Sequence, residues 1–312
     1  MFPPRSCYLL ASGLTLTGPK QISLSGGHFV EQRPGTANGR AALRVVGGSD
    51  VTISGLEVVG PDLDHSFRPR RAFEAGVELD GTSRALLTHV KVSDVYGDGV
   101  TLDPFPLGGT AKGAPVRPCR DVTVEDSTID GAGRQGVALV SADHVLVRRV
   151  RIARVALDTI DLEADVGGEA QHDVWIDGVT LGPGNKGIFF ANAGSGQAGT
   201  GRIFVEHCRM DGPQMGTAIL VQAPPGWRRG PYVFWDNHLW AGSSTTAAAV
   251  ELHGVAEATL WGNTIEFPRG AQAEKAMHVS ASARVVAQYN SFVGARGLGA
   301  RHKVSYLHNS LS

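Results

Sequence analysis

Hydrophobic and polar residues alternate in short bursts that return along almost the whole chain. One burst reads GVELD (76–80), GVTLD (99–103), GVALV (136–140), TIDLE (159–163), GIFFA (187–191) and TAILV (217–221). Val77, Val100, Val137, Ile160, Ile188 and Ala218 hold its second position. Period-two alternation predicts strands with one face buried. Val77 to Val100 is 100 − 77 = 23 residues, and Val137 to Ile160 is 160 − 137 = 23. A chain that regains its pattern after about two dozen residues winds on itself, each rung stacking about 4.8 Å above the last.

A second family of bursts reads DVTISGLEV, RALLTHVKV, DVTVEDSTI, DHVLVRRVRI, HDVWIDGVTL, GRIFVEHCRM, PYVFWDNHLW, EATLWGNTI and ARVVAQYNSF. Apolar residues five apart recur in it, as in Val147 and Ile152, Ile176 and Leu181, Val205 and Met210, Leu260 and Ile265. They predict a strand, a corner and another strand, hence three strands per rung. Between each pair runs a column of Ser127, Val150, Val179, Cys208, His238, Asn263 and Asn290. Residues 104–119, rich in Pro and Gly, read as a loop spliced into one rung. The repeat spans roughly 14–293, residues 294–312 read as a cap or tail, and no linker divides 1–312, which is read as one domain.

The small polar column resembles the asparagine ladder of right-handed parallel β-helices, the pectate-lyase-like superfamily. The resemblance implies an all-β solenoid of three sheets and about ten coils, with free sheet edges only at its ends. It also implies that Cys208 and His238 fill ladder positions and do not ligate anything.

Composition agrees with many corners: 41 glycines and only 19% charged residues. A net charge of −1 gives no steering toward nucleic acid. There is no phosphate loop, nucleophile elbow or zinc spacing, and three cysteines are too scattered for a disulfide framework. No apolar run reaches the roughly 18 residues of a membrane span. The start, MFPPRSCYLLASG, is a poor signal peptide, yet the resemblance places such a chain outside the cell or at its surface.

Parity supplies the candidate chemistry. With Val77 and Leu79 inward, the outward positions of successive rungs are Glu78 and Asp80, Thr101 and Asp103, Ala138 and Val140, Asp161 and Glu163, Phe189 and Ala191. Just before each strand stand Asp98, Gln135, Asp158 and Lys186, and one step earlier Gly97, Arg134, Leu157 and Asn185. Outward neighbours on one strand are roughly 6.6 Å apart, inside the 6.5–9.5 Å carboxyl separation of inverting glycosidases. Asp161 and Glu163 are the expected acid/base pair, supported by Asp98 and Asp158. Apolar neighbours raise a carboxyl pKa, and a second carboxylate raises it further.

Arg134, Gln135, Asp103, Tyr96, Lys186 and His144 are the candidate substrate contacts. No cofactor is implied, although Asp80 and Asp103 are able to hold sugar hydroxyls or Ca²⁺. YGDGVTLD (96–103) resembles the Asn-Thr-Asp-Gly-Ile-Asp segment of polygalacturonase-type glycoside hydrolases, which puts Asp98 at a catalytic aspartate's place. That family's next paired-Asp motif is here Arg134-Gln135, and its Gly-His-Gly and Arg-x-Lys motifs have no match. The same segment has a Tyr and an Asp in common with the Tyr-Gly-x-Asp-Pro-His of alginate C5-epimerases, without the Pro-His.

The expected activity is glycoside hydrolysis of a polysaccharide or oligosaccharide. A polysaccharide lyase or uronate C5-epimerase stands as one alternative, with Tyr96, Arg134 and His144 as its base and neutraliser. A non-catalytic carbohydrate-binding, tail-spike or adhesin β-helix is the other. The chain is expected as a monomer or a homotrimer, the latter through an outward apolar patch of Phe189, Ile219 and Val221. Arg148, Arg149, Arg151 and Arg154 either line an acidic-glycan subsite or pair with Glu125 and Asp126. Trp235 is expected in the core, Trp227 and Trp240 outside.

Overall fold

The computed structural model describes residues 6–31, 41–106, 116–164, 169–185, 187–194, 200–212, 217–242, 248–268, 275–299 and 304–311. Among these, strands assemble into three sheets of ten, eleven and twelve members. Neighbours within a sheet are every third strand, except that the last strand of the second and of the third sheet comes two after its partner, and their pairing is parallel. The first sheet runs from Leu14–Thr17 to Met277–Ser280, the second from Lys20–Ser25 to Val304–Leu307, and the third from Cys7–Leu10 to Ser310–Leu311.

The rung spacing holds where alternation is clean. Val77, Val100, Val137 and Ile160 stand in one column of the first sheet. Behind them the buried aliphatic residues of all three sheets form a continuous core, among them Leu79, Leu102, Val124, Val147, Ile152 and Ile176. Each rung buries its apolar face only against its neighbours and the two facing sheets, so stability accumulates rung by rung.

Register departs from expectation where apolar residues run without a break. Phe190, not Ile188, sits on Ile160, and Ile219, not Ala218, sits on Phe190. A run such as IFF or AILV carries no period of two, so backbone hydrogen bonding decides. Phe190 packs edge-on to Tyr232 and Phe234, with centroids 6.3 and 5.5 Å away. Phe189, Ile219 and Val221 are all buried, so the outward apolar patch expected of them does not exist.

The same effect displaces one ladder position. In YVFW, Tyr232 and Phe234 face inward and Trp235 is exposed. Asn237 therefore occupies the column, with its Oδ1 accepting from the Cys208 N–H at 2.9 Å. His238 lies on the surface with Nε2 2.5 Å from Glu266 Oε1. From Asn237 the ladder climbs through Asn263 and Asn290 to Asn309, each backbone N–H donating to the next side chain. Cys208 is in the ladder as expected, its thiol donating to the Glu206 carbonyl. The residue before each rung of the column is left-handed, including His89, Asp126, Arg149, His207, Asp236 and Tyr289 with φ of 48–56°.

The chain's end extends the coil rather than leaving it. Val304–Leu307 pairs with Arg284–Gln288, and Ser310–Leu311 pairs with Ser291–Val293. At the expected insertion, Phe105 and Arg117 close a two-residue bridge with N–H···O distances of 2.9 Å each way. Residues 107–115 lie outside the described residues.

Candidate active-site groove

Three stacked columns on the outer side of the first sheet bring the carboxylates together. One column is Arg44, Glu78, Thr101, Ala138, Asp161 and Ala191. Two residues along each strand runs a second, in which Asp103 rests on Asp80, and Glu163 continues two past Asp161. The turn before each strand gives Asp98, Gln135 and Asp158, linked by backbone bonds from Gly99 to Gln135 and from Gly136 to Asp158. Gly97 is required here, because a Cβ on it would lie 2.7 Å from the Ala72 carbonyl oxygen.

Arg134 ties three rungs together. Its guanidinium donates to Asp98 Oδ2 at 3.0 Å and, through its other terminal nitrogen, to Glu163. Asp98 also accepts from the Gln135 N–H and the Thr101 hydroxyl, both at 3.1 Å. The Gln135 side-chain amide donates to Asp161. Asp158 accepts from the Ile188 N–H at 3.0 Å. Of the five residues expected to act together, Asp98, Arg134, Asp161 and Glu163 thus join one hydrogen-bonded network through Gln135, while Asp158 is bonded to the Ile188 N–H.

Burial sets its protonation. Asp98 is pushed up to about 6 by loss of water, with Arg134 opposing. Asp161 is raised well above the carboxylate range by burial first, then by the charges of Glu163 and Asp158. Asp158 is raised by burial as well. Burial works against the charge of Arg134, yet Asp98 and Glu163 outweigh it and keep the guanidinium protonated. Burial and the neighbouring carboxylates thus favour the protonated form of Asp161, two residues from Glu163, which is ion-paired to Arg134.

A second acidic group adjoins the first. Arg44 Nε lies 3.0 Å from Glu78 and 2.9 Å from Asp80. Oxygens of Glu78, Asp80 and Asp103 approach within 4.8 Å of one another. Burial raises all three, Glu78 to about 9 and Asp103 to about 8, with the neighbouring Asp80 charge adding to each. Arg44 already supplies a positive charge at this cluster, which disfavours a second cation such as Ca²⁺ there.

The rim comes from residues 60–76, where the step from Leu43 to Val77 lengthens to 77 − 43 = 34 residues. Phe73 is 60% exposed, and Arg134 stands 5.9 Å from its ring centroid. Its ring thus offers a flat apolar face beside the polar groups of the groove. Tyr96 is enclosed between Arg68 and Arg71, 4.9 and 4.7 Å from its centroid, and its hydroxyl accepts from Arg68. It ties the rim down rather than standing free as a base.

Other expected contacts fall elsewhere. His144 is on the second sheet, on a different face, with its ring between Asp143 and Asp173. Lys186 lies outside the described residues. Asn185, expected beside it in the groove, is buried at the corner and accepts from the Val155 N–H. Arg148 and Arg149 pair with Glu125 and Asp126, Arg154 with Asp130 and Arg151 with Asp211, so these arginines form a paired surface. Trp240 packs against the core, whereas Trp235, Trp227 and Trp261 are exposed. Arg44, Phe73, Arg68 and Arg71 were not anticipated. The long step between Leu43 and Val77 was the available signal for the last three.

No protein-family model matches the chain. The uncharacterized protein YclG of Bacillus subtilis (strain 168) is 22% identical over 146 residues, 45% of this chain. The match spans about a quarter, 24%, of that relative. Among solved structures, the mannuronan C-5 epimerase AlgE6 A-module of Azotobacter vinelandii superposes with a TM-score of 0.59, at 11% identity over 97% of this chain and 91% of that one. The surface protein and adhesin PfbA of Streptococcus pneumoniae gives 0.58 at 10% identity, covering 97% and 90%. The tailspike of Escherichia coli bacteriophage HK620, solved with a pentasaccharide, gives 0.59 at 14%, covering 99% and 59%.

The chain is a right-handed parallel β-helix. At these identities the likeness establishes the β-helix fold alone. Among the described residues no helix is long and apolar enough to cross a membrane.

Proposed function

We propose that this β-helix cleaves a glycan by hydrolysis, working outside the cell or at its surface. The observation that carries the reading is the buried Asp161 two residues from Glu163, which is ion-paired to Arg134, in surroundings that raise the Asp161 carboxyl. Asp161 gives its proton to the glycosidic oxygen while Glu163 takes one from the attacking water. Their strand spacing of roughly 6.6 Å leaves room for that water and predicts inversion at the anomeric carbon. Asp98 fixes Arg134 and Asp158 adds to the local field at Asp161; Asp103, Asp80, Glu78 and Phe73 extend the binding surface along the groove. Structural neighbours that act on or hold glycans, including a GH136 lacto-N-biosidase from Eubacterium ramulus, support the substrate class.

Binding without turnover is the second reading. It is favoured by the fact that Asp98, Asp161 and Glu163 already have protein partners. A glycan panel read for new reducing ends, for unsaturated products and for epimerised uronates separates the readings. We expect reducing ends, lost at least 100-fold in Asp161→Asn and in Glu163→Gln while circular dichroism is unchanged. Full activity in both variants would refute the assignment; unsaturated or epimerised products would show elimination chemistry, and glycan capture without product would show a binding module.

A further inference from the structure

Further along the same face, the groove changes from acidic to imidazole chemistry. Glu251 and His253 point outward from the strand Val250–His253, and His278 and Ser280 do so from Met277–Ser280 on the next rung. The register sets His278 on Glu251 and Ser280 on His253. Four outward side chains thus make a square about one rung high and two residues wide.

Hydrogen bonds hold two of the three ligating side chains, Glu251 and His253. Ser280 Oγ is 2.6 Å from His253 Nδ1, which leaves His253 Nε2 facing Glu251 Oε2 at 3.3 Å. The Thr217 hydroxyl donates to the other oxygen, Glu251 Oε1, at 3.3 Å. The His278 ring stands at 87° to that of His253 with centroids 5.0 Å apart. One ligand atom from each of Glu251, His253 and His278 falls within 4.8 Å of the other two. Metal bonds of about 2.0–2.2 Å put ligand atoms roughly 3–4 Å apart, so small side-chain rotations complete the set.

We propose that Glu251, His253 and His278 bind a transition-metal dication of the Zn²⁺ class, with Ser280 and Thr217 orienting two of the ligands. Two imidazoles and one carboxylate suit such an ion and not Ca²⁺ or Mg²⁺, which prefer oxygen alone. A histidine ligand whose second ring nitrogen is held by a hydrogen bond is the usual arrangement around a bound metal. Two other His-containing clusters lack this openness. Asp143 and Asp173 beside His144 are each 2.6 Å from an arginine, Arg120 and Arg202. His207 is held 2.8 Å from Asp177 and lies against the Trp235 ring. No Lys or Arg ion pair holds Glu251 among the described residues; its salt-bridge partner is His253.

The test is calorimetric titration of the full chain, carrying no histidine tag, with ZnCl₂, and separately with CaCl₂ and MgCl₂. We expect one Zn²⁺ per chain and no matching isotherm for Ca²⁺ or Mg²⁺. His278→Gln and His253→Gln should each weaken binding at least tenfold, and Ser280→Ala by about 10-fold through ligand orientation, with circular dichroism confirming the fold. His207→Gln should leave the isotherm unchanged. Absence of Zn²⁺ binding by the native chain, or undiminished binding in the His253→Gln/His278→Gln double variant, would overturn the site. So would loss of binding in His207→Gln alone.

Discussion

Asn263 has five hydrogen bonds inside the coil: two accepted from Asn237, one from its N–H to Asn290, and two from its amide to Phe234 and Asn290. Asn263→Ala strands the Asn237 N–H and the Phe234 carbonyl in a buried corner, and unsatisfied buried groups cost about 1–3 kcal/mol each. We expect a loss of about 3 kcal/mol in denaturant unfolding. Residue-level protonation gives a pH dependence of definite sign. Asp98, Asp103 and Glu78 are raised in the folded chain, to about 6, 8 and 9. The folded state therefore binds more protons than the unfolded one above about pH 4, and stability falls as pH rises through these values. Thermal unfolding should occur at a higher temperature at pH 5 than at pH 8, and Asp103→Asn should flatten the difference. A protein equally stable at both would contradict the buried acidic wall.

At the scale of strands and corners, Phe73 is the groove's exposed aromatic edge. Phe73→Ala should raise KM for a responsive glycan several-fold while leaving kcat within about twofold, since stacking acts on substrate and transition state alike. In the core, Phe190→Ala removes the ring that meets Tyr232 and Phe234 and should cost about 3–5 kcal/mol. Strands with clean alternation showed their face in the sequence: Val77, Val100 and Ile160 were readable because charged or polar residues separate the apolar ones, and Val137 followed from its 23-residue step to Ile160. The same clarity placed Asp98, Arg134, Gln135, Asp161 and Glu163 on one wall. IFF, AILV and YVFW gave no such separation, so Phe190, Ile219 and Asn237 emerged only from backbone pairing. Arg44 was invisible for a different reason: its rung lies 34 residues before Val77's pattern, across a rim whose length no period reveals.

Among the described residues the strands stack into three sheets in which every strand but the first and last of each sheet is paired on both sides. Residues 304–311 cover the edge of Arg284–Gln288 and add Asn309 to the ladder. Removing residues 304–312 should uncover that edge and raise self-association in light scattering, because an unpaired strand recruits another. The effect on the unfolding of distant rungs should be small, since each rung contacts only its neighbours.

The Arg134 link has a consequence for how such a chain can change length. Tandem copying of residues 119–141 would insert one more storey of about 4.8 Å, and Asp98 and Glu163 would then face different arginines, each half-compensated. Lineages related to this chain should accordingly gain or lose storeys beyond residue 200 or before residue 60, while the count between 98 and 163 stays fixed.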